Sequence, residues 1–217
     1  AAVLARADFW TGGRVLVIGC GGGGTTIAIA NAVAPGGEVL GIDISPDLTA
    51  ASTKRASDAG VGNIRFICAD ASNVQLPDAP FDRLFSRFGS MFFAEPHQAF
   101  ANLRSLLRPG ARIDLAVWAP PRDNLWMMEM MGVVRRHVDI PPAVPRAPGP
   151  FAFEDLEYLN EVLAAGGFFF PVIMAYTVQQ PVGGVELAFS DPARFAGLDG
   201  EFEEWNHGRF SCYAPVG

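Results

Sequence analysis

Arg14-Val15-Leu16-Val17-Ile18-Gly19-Cys20-Gly21-Gly22-Gly23-Gly24 decides the fold class. Val15 to Ile18 are all apolar and mostly β-branched, which reads as a short strand covered on both faces. The glycine run must then turn the chain sharply. Glycine adopts φ > 0 without a Cβ penalty and lets the backbone come close to a ligand. Residues 25–34 follow with helical spacing and are stopped by Pro35-Gly36-Gly37. The helix aims unsatisfied N–H groups and a partial positive charge back at the glycine turn.

Outward from this unit the alternation repeats. Strands are expected at 38–42, 63–67, 81–88 and 111–118. Helices are expected from Ser45-Pro46 to about Ala59 and from Pro96 to Leu107, ending at Pro109-Gly110. Strands alternating with helices specify a parallel sheet between two helical layers. After Trp118 the character changes. Pro120-Pro121 opens a Met/Trp-rich helix at 125–138, a Pro-rich link at 141–150 and a further helix at 154–165. The tail reads as strand, excursion, strand, the last strand at 209–213. The chain is expected to be one domain, 1–217, with a cap at about 119–150 and an irregular excursion at about 181–207.

Asp43 closes the second strand, 24 residues after Gly19. A carboxylate there can accept both ribose hydroxyls of a nucleoside lying across the strand ends. Asp70, in Ala69-Asp70-Ala71, follows the third strand and can meet an adenine amino group. Gly19, Gly21 and Gly24 with Asp43 also satisfy the dinucleotide pattern, so the glycines alone leave an NAD-dependent oxidoreductase open.

The ordered set VLVIGCGGG (15–23), GEVLGIDISPDL (37–48), NIRFICADA (63–71), FDRLFSRFGSMFF (81–93), LRSLLRPGARIDLAVW (103–118) and PGPFAFEDLEYLNEVLAAGGF (148–168) resembles the class I S-adenosylmethionine-dependent methyltransferases. Within that family it is similar to the bacterial small-molecule branch around the ubiquinone/menaquinone methyltransferases. The resemblance implies a Rossmann-like α/β/α sandwich with a mostly parallel seven-stranded sheet and an antiparallel last strand. It implies S-adenosylmethionine as cofactor, S-adenosylhomocysteine as product and a small-molecule acceptor. The backbone of Gly19, Cys20, Gly21 and Gly23 would pack against the cofactor's methionine part. Asp43 would hold the ribose, Ile44 the adenine face, and Asp70 with Ala71 the adenine edge. Ser86, Arg87 and Phe88 would line the site near the sulfonium.

Two departures stand out. The family usually has an acidic residue two positions before the first glycine, where this chain has Val17. Only about a dozen residues precede the first strand, where the family places covering helices, which leaves a truncated start or an unresolved one as the alternatives. Val17 and the small number of candidate bases keep a non-catalytic binding or scaffold domain of the same fold as a further alternative.

Methyl transfer from a sulfonium is an in-line displacement, so alignment matters most and no residue is obligatory. A general base helps a hydroxyl acceptor. His137, at the end of the Met/Trp-rich helix, and His97, after Glu95-Pro96, are the candidates; each also reads as a solvated helix-end residue. His207 is a further, less legible histidine. Phe92, Trp118, Trp126 and Met130 are the expected acceptor-binding residues, although a greasy helix packed on the sheet explains most of that cluster equally. Flexible thioethers and flat rings suit an aromatic, quinone- or polyketide-like acceptor. Cys20 faces a helix N-terminus, which can lower a thiol pKa, but reads as a small apolar residue.

Composition sets the outer limits. Half the residues are hydrophobic and 18% charged, which excludes general disorder. A net charge of −7 without a Lys/Arg cluster argues against bulk nucleic acid as acceptor. No apolar run reaches the ~18 residues of a membrane span; the densest, 168–176, is broken by Pro171 and reads as a buried strand. No signal peptide is expected. Cys20, Cys68 and Cys212 form no CxxC pair, which argues against a disulfide scaffold or zinc site and fits a reducing cytoplasm. No metal dependence is expected.

Overall fold

A computed structural model describes residues 4, 7–174, 181–182, 185–186 and 208–213. Strand β1 (Arg14–Ile18) leads through the glycine turn into α1 (Gly24–Val33). Then come β2 (Glu38–Asp43), α2 (Pro46–Asp58), β3 (Ile64–Cys68), β4 (Phe81–Arg87), α3 (Pro96–Ser105) and β5 (Leu107–Val117). Helices α4 (Leu125–Val134) and α5 (Leu156–Ala165) follow, then β6 (Phe169–Met174), the two-residue strands β7 (Pro181–Val182) and β8 (Val185–Glu186), and β9 (Gly208–Tyr213).

Seven strands form one sheet in the order β3-β2-β1-β4-β5-β9-β6. β1 pairs in parallel with both β2 and β4, and β5 with β4; β9 is antiparallel to β5 and β6. The chain therefore winds outward from β1 to β3 and returns to begin again on the other side of β1. Open α/β sheets carry their ligand crevice at that reversal, outside the carboxyl ends of the strands.

The pleat sends alternate residues of each strand to opposite faces. Leu16, Ile18, Leu84 and Leu115 join one core with Phe100, Leu103, Leu159 and Val162 of α3 and α5. Val15, Val17 and Phe85 join a second core with Ile29, Ala30 and Val33 of α1. Two cores on two faces explain why Val15 to Ile18 of β1 are all apolar.

The second face also holds a buried ion pair. Arg83 of β4 donates Nε to Asp114 of β5 at 2.7 Å, with side chains 2% and 0% exposed. Arg112 reaches the other Asp114 oxygen at 2.7 Å. The Arg83 guanidinium also donates to the Asp8 carbonyl and lies 4.8 Å from the Phe9 ring centroid, which ties the segment before β1 onto the sheet.

Three boundaries differ from expectation. β5 starts at Leu107 rather than 111, because Leu107 already pairs with Phe81. The Pro109-Gly110 turn becomes an irregularity in the β4–β5 ladder, with Gly110 at φ 75. α3 correspondingly stops at Ser105. α4 ends at Val134 rather than 138; Gly132 and the β-branched Val133-Val134 weaken its last turn. Most of the excursion expected at 181–207, including His207, lies outside the described residues. No helix among them is long and apolar enough to cross a membrane.

Candidate functional site

The glycine turn is held by close backbone approach and by four side chains. Gly19, at φ 65, lies against Gly89 after β4: a Cβ on Gly19 would sit 2.6 Å from the Gly89 Cα. The Ser86 hydroxyl bridges the same junction, donating to the Ile18 carbonyl at 3.0 Å and accepting from the Ser90 N–H at 3.2 Å. Gly23, at φ 79, leaves room for Ser52 of α2, whose hydroxyl donates to the Gly21 carbonyl at 2.6 Å. Arg55, one turn further along α2, donates to the Gly22 carbonyl. Asp43 completes the clamp: Oδ2 accepts from Gly21 N–H at 2.8 Å and Oδ1 from Ser45 N–H at 3.0 Å.

Gly21, at φ 53, stands apart from these close approaches, since a Cβ there would meet nothing within 4 Å. Ile44, next to the clamping carboxylate, is 74% exposed. The Ala69 N–H donates to the Asp43 carbonyl, so the chain after β3 runs beside the end of β2. Asp70 there is exposed, and its Oδ1 accepts from Ser72 N–H at 2.8 Å, capping its own turn.

Two of the expected site residues have buried side chains. Ala71 is buried in the first core, and its carbonyl accepts from Asn102. Ser86 is fully buried with its hydroxyl spent on β1. The pleat requires this for Ser86, because it alternates with Phe85 and Arg87. Phe88 is half-buried and takes φ 63, a region uncommon for any residue with a side chain. Its ring stacks on Trp118 at 4.7 Å and 16°, and Trp118 in turn contacts Trp126 of α4 at 5.9 Å. An aromatic row thus runs from the end of β4 to the first turn of α4. Trp126, Met130 and Phe92 are all exposed.

The histidines lie elsewhere. His97 packs edge-on to Tyr158 of α5 at 6.1 Å. His137 is exposed beyond the end of α4, its N–H on the Val134 carbonyl. Neither lines the cleft of about 260 Å³ bounded by the glycine turn, Val17, Thr25, Arg55, Arg87 and Phe88. A wider groove of about 510 Å³ lies between α2 and β3, its only charged lining residue, Arg65, paired with Asp78.

Burial pushes the Cys20 thiol up to about 12, helped by the charge of Asp43. Desolvation outweighs the lowering expected from the helix N-terminus, and Cys20 packs as a small apolar side chain in the second core. Among the described residues no three His, Cys, Asp or Glu side chains group to hold a metal ion.

Ser52, Arg55 and Gly89 are the site residues that sequence reasoning missed. Ser52 and Arg55 lie three apart on α2, a spacing that puts both on one helix face, but nothing local says that this face meets the glycine turn.

Residues 15–110 match the model of the methyltransferase domain family. The chain is 34% identical over 116 residues to the ubiquinone/menaquinone biosynthesis C-methyltransferase of Pseudomonas savastanoi pv. phaseolicola, covering 53% of this chain and 45% of that protein. It is 32% identical over 119 residues to the nocamycin O-methyltransferase of Saccharothrix syringae, covering 55% and 42%. The chain spans about half the length of the curated relatives it matches. A crystal structure of a SAM dependent methyltransferase from Aquifex aeolicus superposes with a TM-score of 0.61 at 17% identity, over 98% of this chain and 87% of that one.

Proposed function

We propose, from the premise that residues 15–110 are a methyltransferase domain, that this chain transfers a methyl group from S-adenosylmethionine to a small-molecule acceptor. The observation that carries the reading is the Asp43 clamp beside an open Gly21 and an exposed Ile44. Each Asp43 oxygen has one backbone donor and keeps further acceptor capacity for a ribose hydroxyl. Ile44 offers an apolar face to a purine, with Asp70 beside it. The backbone of Gly19 to Gly21 admits the amino-acid end, since no Cβ crowds Gly21. When bound, the cofactor supplies the electrophilic methyl group. The residues of the chain bind, orient and exclude water.

Transfer is by in-line displacement, and alignment of acceptor, methyl carbon and sulfur supplies most of the rate. The row Phe88, Trp118 and Trp126, with exposed Phe92 and Met130 alongside, suits a flat apolar acceptor such as an aromatic, quinone- or polyketide-like molecule. Both curated relatives bear names of small-molecule methyltransferases, which supports that acceptor class. His137 and His97 are the candidate bases. Residues 119–150 act as a cap over the acceptor within one domain, and the unpaired cysteine spacing fits a cytoplasmic setting.

Calorimetric titration with S-adenosylmethionine, S-adenosylhomocysteine and NADH tests the cofactor assignment. Micromolar or tighter binding of the homocysteine product without NADH binding supports it; silence for every nucleoside replaces it with the scaffold reading. A panel of phenols and polar amines incubated with labelled cofactor tests the acceptor class, and methylation confined to the polar amines rejects the aromatic one.

A further inference from the structure

Arg87 ends β4 on the same side of the pleat as Arg83 and Phe85. It is exposed, and among the described residues it pairs with no carboxylate. It borders the cleft at the glycine turn together with Arg55, whose guanidinium is already committed to the Gly22 carbonyl. The first turn of α1, which also borders this cleft, carries no acidic side chain. Val17 lines it where a carboxylate would balance the charge, and Asp43 turns its two oxygens to Gly21 and Ser45. Against the one carboxylate of Asp43 behind Gly21, a chain of net charge −7 thus sets two guanidiniums and a helix N-terminus around one small cleft. Such a cleft attracts an anion and repels a cation.

This bears on the cofactor named in the proposed function, on which the inference rests. Its amino-acid end carries one carboxylate and one ammonium, and the adjacent sulfonium is a second cation. A guanidinium held against the sulfonium would be repelled by it, so the position expected for Arg87 conflicts with its charge. We infer that Arg87 is the carboxylate anchor of the cofactor's amino-acid end, and that this chain grips that end by its anion rather than by its ammonium. Arg87 acts as a binding and positioning residue: by fixing the carboxylate it sets how far the amino-acid end enters the cleft. The planar fork suits two parallel N–H···O bonds to one carboxylate, which lysine can match only in charge.

Calorimetry on the whole chain tests this with two ligands that share the nucleoside. S-adenosylhomocysteine has the amino-acid end; 5′-methylthioadenosine lacks it. R87Q is expected to weaken S-adenosylhomocysteine by about ten- to a hundredfold and to leave 5′-methylthioadenosine unchanged, with R87K recovering part of the loss. Raising the salt concentration should weaken the first ligand more than the second in the parent chain and equally in R87Q. An unchanged melting temperature for R87Q shows that the fold is intact. If R87Q weakens both ligands alike, or neither, the carboxylate anchor is wrong while the cofactor assignment stands. If neither ligand binds the parent chain, the cofactor assignment fails and takes the anchor with it.

Discussion

Gly89 lies so close to Gly19 that a Cβ on Gly89 would come within 2.7 Å of the Gly19 Cα and 2.8 Å of the Ile18 carbonyl oxygen. The loops after β1 and β4 are therefore in contact backbone to backbone, at the reversal of the sheet. Gly89→Ala must push one loop away. It is expected to cost about 1–3 kcal/mol and to abolish S-adenosylhomocysteine binding. Gly21→Ala has the same left-handed φ problem as Gly19 but no clash, so it should cost less, about 1 kcal/mol. Urea denaturation of the two variants side by side checks the order; a Gly21→Ala variant less stable than Gly89→Ala would contradict it.

Asp43 both clamps Gly21 and is assigned the ribose. Asp43→Ala removes the acceptor of two N–H groups, and product affinity should fall by at least tenfold, with stability falling by about 1–3 kcal/mol. Asp43→Asn keeps one oxygen and should lose less stability than affinity. Parallel melting and titration curves separate the two effects, and an Asp43→Ala variant that binds the product as tightly as the parent rules out the ribose role.

The Arg83–Asp114 pair is buried, so removing one partner strands the other. Asp114→Ala should cost about 3–5 kcal/mol, whereas Arg112→Ala, whose side chain is 22% exposed, should cost about 1 kcal/mol or less. Replacing Arg83 and Asp114 together by apolar residues of similar size should restore much of the loss. Chemical denaturation of the three variants decides it; equal effects of Asp114→Ala and Arg112→Ala would mean that the pair is effectively solvated.

The Cys20 thiol, with a pKa raised from 9.0 to about 12 by burial and the Asp43 charge, stays protonated in the folded chain. Alkylation at pH 8 followed by peptide mapping should modify exposed Cys68 and spare Cys20. Below pH 9 both folded and unfolded thiols are neutral and the contribution to stability is whole. Between pH 9 and about 12 the unfolded thiol ionises first, so this contribution is lost as pH rises. Cys20→Ala should show a shallower alkaline decline than the parent.

Trp118 stacks on the strained Phe88, whereas Trp126 is exposed. Trp126→Ala should raise acceptor KM several-fold with stability nearly unchanged. Trp118→Ala should lower both acceptor binding and the melting temperature. Steady-state kinetics with a phenol that the panel identifies as an acceptor tests the split; a Trp126→Ala variant with wild-type KM removes it from the acceptor site.

The sheet was legible because its strands are covered on both faces: Val15 to Ile18 are apolar throughout, and the punctuation by Pro35-Gly36-Gly37 and Gly60 is local. Asp43 was legible because its distance from the glycine turn is set by one helix and one strand. Ser52 and Gly89 were not, since their importance comes from what crosses them in space, 31 residues from Gly21 in the case of Ser52. The inward turn of Ser86 and Ala71 was obscured for a related reason. A motif specifies that a stretch lies at the site, while the pleat and the turn decide which of its side chains face it. Arg83 and Asp114 lie 31 residues apart, and their pairing emerges only when β4 and β5 are laid side by side.

β9 fills an interior place in the sheet, between β5 and β6, although it is the last strand in chain order. While residues 208–213 are still inside the ribosome, the emerged strand β5 has one unsatisfied edge and β6 has no neighbour to receive it. Until those six residues insert, the nascent chain offers two open ladders to any extended segment nearby. Shortening the chain ahead of residue 208 should therefore yield inclusion bodies, even though every residue of the glycine turn and its clamp is retained.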